Sequence, residues 1–209
     1  PSQSISKRRT AQADVSPLSV QARMEHIGTA IQARKGEIID QLGSDRGFFV
    51  VDNLLGADTA ISMRLEAEAL HRAGFMVPSQ STKWNAETGD AIAYEKYNVL
   101  SMQLEGGETQ YATAPSLVEY TVALTQSLAP LVASAFPDAA PLNERVQTNK
   151  LAVCLGDGSA YDKHIDNQGG DDPRKLTVLY YMNDHLPCVR PDARSCTNGP
   201  ELVSSSSSL

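Results

Sequence analysis

Apolar residues along this chain change period several times, and each change predicts an element. Val20, Met24, Ile27, Ile31, Ile38 and Leu42 recur at roughly helical spacing, so residues 19–42 are expected to form one amphipathic helix, stopped by Gly43. Ser16-Pro17 lies just ahead of it, and proline suits a first helical turn because the amide proton it lacks has no intrahelical partner there. Phe48-Phe49-Val50-Val51 is a short apolar run of β type, followed by Asp52-Asn53 and a turn at Gly56. From Asp58 to Ala73 helix formers dominate, with Asp58 as the cap and Gly74 as the end.

The middle of the chain carries less pattern. Ala91-Ile92-Ala93-Tyr94 reads as a strand and Glu105-Gly106-Gly107 as a turn, while most of 74–112 is expected to be long loop. Pro115-Ser116 then opens a helix running to about Phe136, with Leu117, Tyr120, Leu124, Leu128 and Leu131 inward and Pro137 and Pro141 at its exit. Residues 151–155 and 176–182 are two strand-type runs, with Gly156-Asp157-Gly158-Ser159 as a turn after the first. Past His185 no period survives: 186–209 holds three prolines, two cysteines and five consecutive serines, and is expected to be a disordered or unrelated tail. The resulting division is a disordered end (1–16), an N-terminal helix (17–45), one α+β domain (46–185) and the tail (186–209).

Composition narrows the partners. At 209 residues and 41% hydrophobic content the chain suits one domain with a real core. A net charge of −7 argues against nucleic acid or an anionic membrane as partner, because either needs a basic face. No run approaches the ~18 apolar residues of a membrane span. Cys154, Cys188 and Cys196 form no even disulfide framework, so an intracellular setting, cytoplasmic or nuclear, is expected.

The chemistry concentrates in Tyr161-Asp162-Lys163-His164-Ile165-Asp166-Asn167. On an extended chain residues i and i+2 point to one side, so His164 and Asp166 can present an imidazole and a carboxylate to one metal ion. Two histidines and a carboxylate on one face of Fe(II), with open positions opposite, is the arrangement of non-haem oxygenases. Spacing alone is equally compatible with a polar surface turn, and a His–Asp pair also suits Zn2+ or Mn2+.

Context goes further. Gly156 and Gly158, Tyr161, His164-Ile165-Asp166-Asn167, Gly169-Gly170-Asp171 and Tyr180-Tyr181-Met182-Asn183 together resemble the prolyl 4-hydroxylase family of 2-oxoglutarate- and Fe(II)-dependent dioxygenases, in its hypoxia-sensing branch. Gly47-Phe48-Phe49-Val50-Val51-Asp52-Asn53 and Gly89-Asp90-Ala91-Ile92-Ala93-Tyr94 are similar to the same branch, so the likeness covers roughly 46–185. It implies a double-stranded β-helix (jelly-roll, cupin-like) with supporting helices, here without its last strands. It implies Fe(II) on His164, Asp166 and a later histidine, 2-oxoglutarate beside Tyr161 and Tyr181, and ascorbate as reductant. A proline-containing protein or peptide would be the substrate, met by a closing loop with Trp84, Tyr94 and Tyr97. Two departures stand out: Cys154 replaces a cosubstrate-facing tyrosine, and no match follows for the family's second histidine or its 2-oxoglutarate-binding arginine. The competing expectation is therefore an inactive product of the same family, acting at most as a binding module.

Overall fold

The computed structural model describes residues 19–85, 87–138, 142, 147–161, 164, 166–167, 174–183 and 202–208. Among the described residues, five helices back one five-stranded sheet. In chain order these are α1 (Val20–Ala33), α2 (Lys35–Leu42), α3 (Ala57–Arg72), β1 (Val77–Asn85), β2 (Asp90–Gln103), α4 (Glu108–Thr113), α5 (Pro115–Ala135), β3 (Thr148–Cys154), β4 (Thr177–Tyr181) and β5 (Leu202–Ser208). Every neighbouring pair of strands in the order β1-β2-β3-β5-β4 is antiparallel.

The long helix α5 organises the core. Leu117, Tyr120, Leu124, Leu128 and Leu131 are all buried, as their spacing predicts. They pack with Ile27, Ile31 and Ile38 of α1 and α2, Met63, Ala67 and Leu70 of α3, and Leu151 and Val153 of β3. Tyr120 meets Tyr180 of β4 with ring centroids 5.2 Å apart and planes tilted by 43°, an edge-leaning geometry that aromatic quadrupoles favour. Burial pushes the Tyr120 phenol far above its ordinary titration range.

Two polar fastenings close the helical layer. Glu119, 3% exposed, accepts two 2.6 Å bonds from the Arg23 guanidinium and a third of 2.7 Å from the Tyr111 hydroxyl, tying α1 and α4 to α5. Burial alone would raise the Glu119 carboxyl, but the bonds from Arg23 and Tyr111 outweigh it and hold it below its usual range. Glu66 of α3 accepts from the Ser116 and Leu117 amides at 3.0 Å each, so a neighbouring helix supplies the anionic cap that the α5 N-terminus needs.

Several expectations are corrected. The helix over 19–42 is two helices, broken at Arg34 (φ −103°, ψ 8°), although Gly43 does end the second. Phe48-Phe49-Val50-Val51 is irregular: it pairs with no strand among the described residues, Val50 is 68% exposed, and Phe48 is held instead under the Arg46 guanidinium. The cap of α3 is Gly56 in a left-handed conformation, with Asp58 inside the first turn. Most of 74–112 is not loop but the β1–β2 hairpin and α4. The largest change lies in the tail, where the residues expected to have no regular structure include β5, a strand between β3 and β4. Backbone pairing with two strand neighbours fixes that segment, since its run of serines has no alternating pattern of its own. The starting dipeptide Ser16-Pro17, His185 and the cysteines Cys188 and Cys196 lie outside the described residues.

Candidate active site

The sheet has two unlike faces. On β3, Asn149, Leu151 and Val153 turn toward the helices, while Lys150, Ala152 and Cys154 turn away, as period-2 alternation requires. Across β2 and β4 the pattern continues. Leu100, Met102, Val178 and Tyr180 join the core, Val99 joins Ala152 and Cys154 on the far face, and Leu179 and Tyr181 are exposed at 56% and 55%.

The turn after β3 leads the chain to Tyr161 on that far face. Gly156, Asp157 and Gly158 all have positive φ, which a glycine-rich turn can adopt without strain at two of the three positions. The Leu155 amide donates to the Asn98 carbonyl at 2.9 Å, the Gly156 amide bonds Ser159 Oγ at 3.2 Å, and the chain then runs into Tyr161. Tyr161 lies under the Lys96 ammonium, 3.9 Å from ring centroid to Nζ, a cation–π contact. Burial raises the Tyr161 phenol, the nearby Cys154 thiol and Tyr181 phenol add to the rise, and a hydrogen bond with Ser79 of β1 opposes it. Tyr161 thus bonds Ser79, with Cys154 and Tyr181 near enough to act on it electrostatically.

His164 and Asp166 come together as their spacing predicts. His164 Nε2 lies 3.1 Å from Asp166 Oδ1, and both side chains are partly open to solvent. Metal–ligand lengths of about 2.0–2.2 Å meeting near a right angle put two donor atoms roughly 3 Å apart, so this pair can occupy adjacent positions on one ion. The Arg174 guanidinium donates to the Asp166 carbonyl, and the Asn167 amide donates to the Arg174 carbonyl, fixing the backbone that carries the carboxylate. Among the described residues no group of three or more His, Cys, Asp or Glu could hold a metal, so the pair supplies two donors without a third.

The remaining candidates divide. Trp84 falls on β1 with its backbone paired to Ala91, and Tyr94 and Tyr97 lie on β2. They ride on a paired hairpin, not on a long loop. Tyr97, 67% exposed, stands beside the Gly158 turn, whereas Tyr94 is half-buried and paired opposite Ser81. Cys154 is buried, and burial raises its thiol, with a hydrogen bond from Ser159 and the Lys96 charge pulling the other way. His26 is structural, its Nε2 3.1 Å from the Leu55 carbonyl.

Sequence reasoning missed Lys150, Ser79 and Lys96. Lys150 Nζ donates to Ser79 Oγ at 2.9 Å, and burial lowers the ammonium below its ordinary range. The available signal was one charged residue opening the otherwise apolar run LAVC.

A helix-backed antiparallel sheet carrying a His-x-Asp pair on the segment between β3 and β4 can be set beside known proteins. No family model matches the chain. Egl nine homolog 1 of Rattus norvegicus is 26% identical over 140 residues, 66% of this chain and 37% of that protein. The Homo sapiens protein of the same name is 26% identical over 138 residues, 66% of this chain and 30% of its own length. The chain thus spans roughly a third of the curated relatives it matches. A prolyl 4-hydroxylase from Phytophthora capsici has a similar structure, with TM-score 0.61, 19% identity and coverage of 88% of this chain and 64% of that one. So does a Trichoplax adhaerens prolyl hydroxylase bound to a hypoxia inducible factor oxygen degradation domain peptide, with TM-score 0.53, 16% identity and coverage of 88% and 91%. The chain is related to the prolyl hydroxylases, and among them to the Egl nine type.

Proposed function

We propose that this chain has the activity of a 2-oxoglutarate- and Fe(II)-dependent dioxygenase that hydroxylates prolyl residues in a protein or peptide, with ascorbate as reductant. The observation that carries this reading is the 3.1 Å His164–Asp166 pair on the loop between β3 and β4, beside Tyr161, in a chain related to prolyl hydroxylases. The barrel implied is a double-stranded β-helix, of which the antiparallel sheet described above would form one wall. Fe(II) would be held by His164 and Asp166, and when bound it supplies dioxygen activation. Tyr161 and Tyr181 would line the cosubstrate space, Arg174 and Asn167 would keep the Asp166 backbone in place, and the exposed Tyr97 beside the Gly158 turn would meet the substrate chain. An intracellular, cytoplasmic or nuclear setting goes with this reading.

A non-catalytic binding module is the second reading, favoured by the two-donor count among the described residues. One assay separates the two. Purified chain is incubated with Fe(II), ascorbate, 2-oxoglutarate and a proline-containing peptide, and succinate and oxygen addition to proline are measured. The dioxygenase reading expects both products from the native chain and neither from His164→Ala. Absence of succinate from the native chain at any Fe(II) level would remove catalysis and leave the binding module.

A further inference from the structure

Lys150 occupies an expensive position. It lies on β3, an interior strand, paired with Gln103 of β2 on one side and Ser206 of β5 on the other. Its side chain leaves the helical core and crosses the far face to β1, where Nζ meets the wholly buried Ser79 hydroxyl. An ammonium has three N–H donors, and this one uses one of them on a neutral oxygen. Among the described residues no carboxylate stands in ion-pair contact with it. A half-buried charge with a single uncharged partner costs stability unless an anion completes it.

The surroundings suit a small anion. Between Lys150 and Cys154 the floor is Ala152 of β3 paired with Ser101 of β2, both buried and both small. Tyr161 bonds the same Ser79, and Tyr181 of β4 is near enough to Tyr161 to interact with it electrostatically. Lysine, serine and the Tyr161 phenol beside a floor of small side chains give this space several hydrogen-bond donors.

We propose that Lys150, braced by Ser79, is the anion-binding residue of this face and takes a carboxylate of a small dicarboxylic acid. The identity of that acid as 2-oxoglutarate rests on the function proposed above, with Lys150 holding the carboxylate remote from the His164–Asp166 pair.

The test is calorimetric titration of the full chain, in chelator-treated buffer, with 2-oxoglutarate and separately with glutarate, which has the same carbon chain but no keto group to grip a metal. The native chain is expected to bind both saturably. Loss of a charge-assisted hydrogen bond should weaken both about 10- to 100-fold in Lys150→Met and Lys150→Gln, with partial retention in Lys150→Arg. The exposed Lys83→Met on the hairpin controls for net charge and should change nothing, and circular dichroism identifies any variant that fails to fold. No glutarate binding by the native chain, or equal binding by a folded Lys150→Met or Lys150→Gln, overturns the proposal. His164→Ala should bind glutarate as the native chain does. Glutarate binding without succinate formation in the earlier assay would therefore sink the dioxygenase reading and leave the anion subsite standing.

Discussion

The two faces of β3 are built from alternate residues of one strand and do opposite work. Leu151 and Val153, at 0% and 1% exposure, lie against α5 among side chains that are apolar and tightly packed. Lys150 and Cys154, one residue out of step, face a sparser set of hydroxyls, phenols and an ammonium. Packing is satisfied on one side, and polar valences are left open on the other. Hydrophobic burial is concentrated on the helix side, and the stability it supplies lets the far side carry groups that are costly to hold.

Substitutions on the packed side should therefore dominate stability. Leu151→Ala removes a fully buried side chain from the sheet–helix junction, and about 3–4 kcal/mol should be lost in urea unfolding. Lys150→Met, one position away, is expected to leave stability unchanged or raise it by up to ~1 kcal/mol, since it removes a half-buried ammonium. Equal losses from both would erase the distinction between the faces.

Next in size is the Arg23–Glu119–Tyr111 cluster. Breaking a buried ion pair commonly costs 3–5 kcal/mol, and the 35% exposure of Arg23 places Glu119→Gln lower, at about 2 kcal/mol. Because the folded Glu119 carboxyl titrates below its unfolded value, its contribution is fully present above roughly pH 4.3 and is lost as pH falls through the folded value. The stability gap between the native chain and Glu119→Gln should accordingly narrow in acid. A gap that widens below pH 4 would mean that burial, not Arg23, sets that titration. A smaller effect, about 1 kcal/mol, is expected from Glu66→Ala, which uncaps α5, and unfolding midpoints at constant m-value would register it. Smallest of all is His164→Ala, under ~0.5 kcal/mol, because its side chain is about half exposed.

What the sequence disclosed follows the same division. α5 and the strands around Leu151 and Val178 were legible because each carries a dense apolar period bounded by proline or glycine. The hairpin was not, since VPSQSTKWN on β1 has little alternation and contains Pro78, tolerated at a register shift between Pro78 and Gln80. β5 was invisible for a stronger reason: five serines specify no face, and its strand form depends on β3 and β4, about 50 and 25 residues earlier in the chain. On the chemical side, a spacing of two brought His164 and Asp166 together as expected. Lys150 was not legible because its apolar neighbours read as a buried strand, and only Ser79 on β1, two strands away, shows where its side chain goes.

Whether His164 and Asp166 share one metal ion decides most directly what this face does. Mn2+ titration of the native chain by electron paramagnetic resonance, as a stable proxy for Fe(II), measures this without any turnover. One bound ion per chain is predicted, abolished in His164→Ala and in Asp166→Ala and retained in Lys150→Met. Failure of the native chain to bind, or binding that both ligand substitutions leave intact, would contradict the assignment of this face as a metal site.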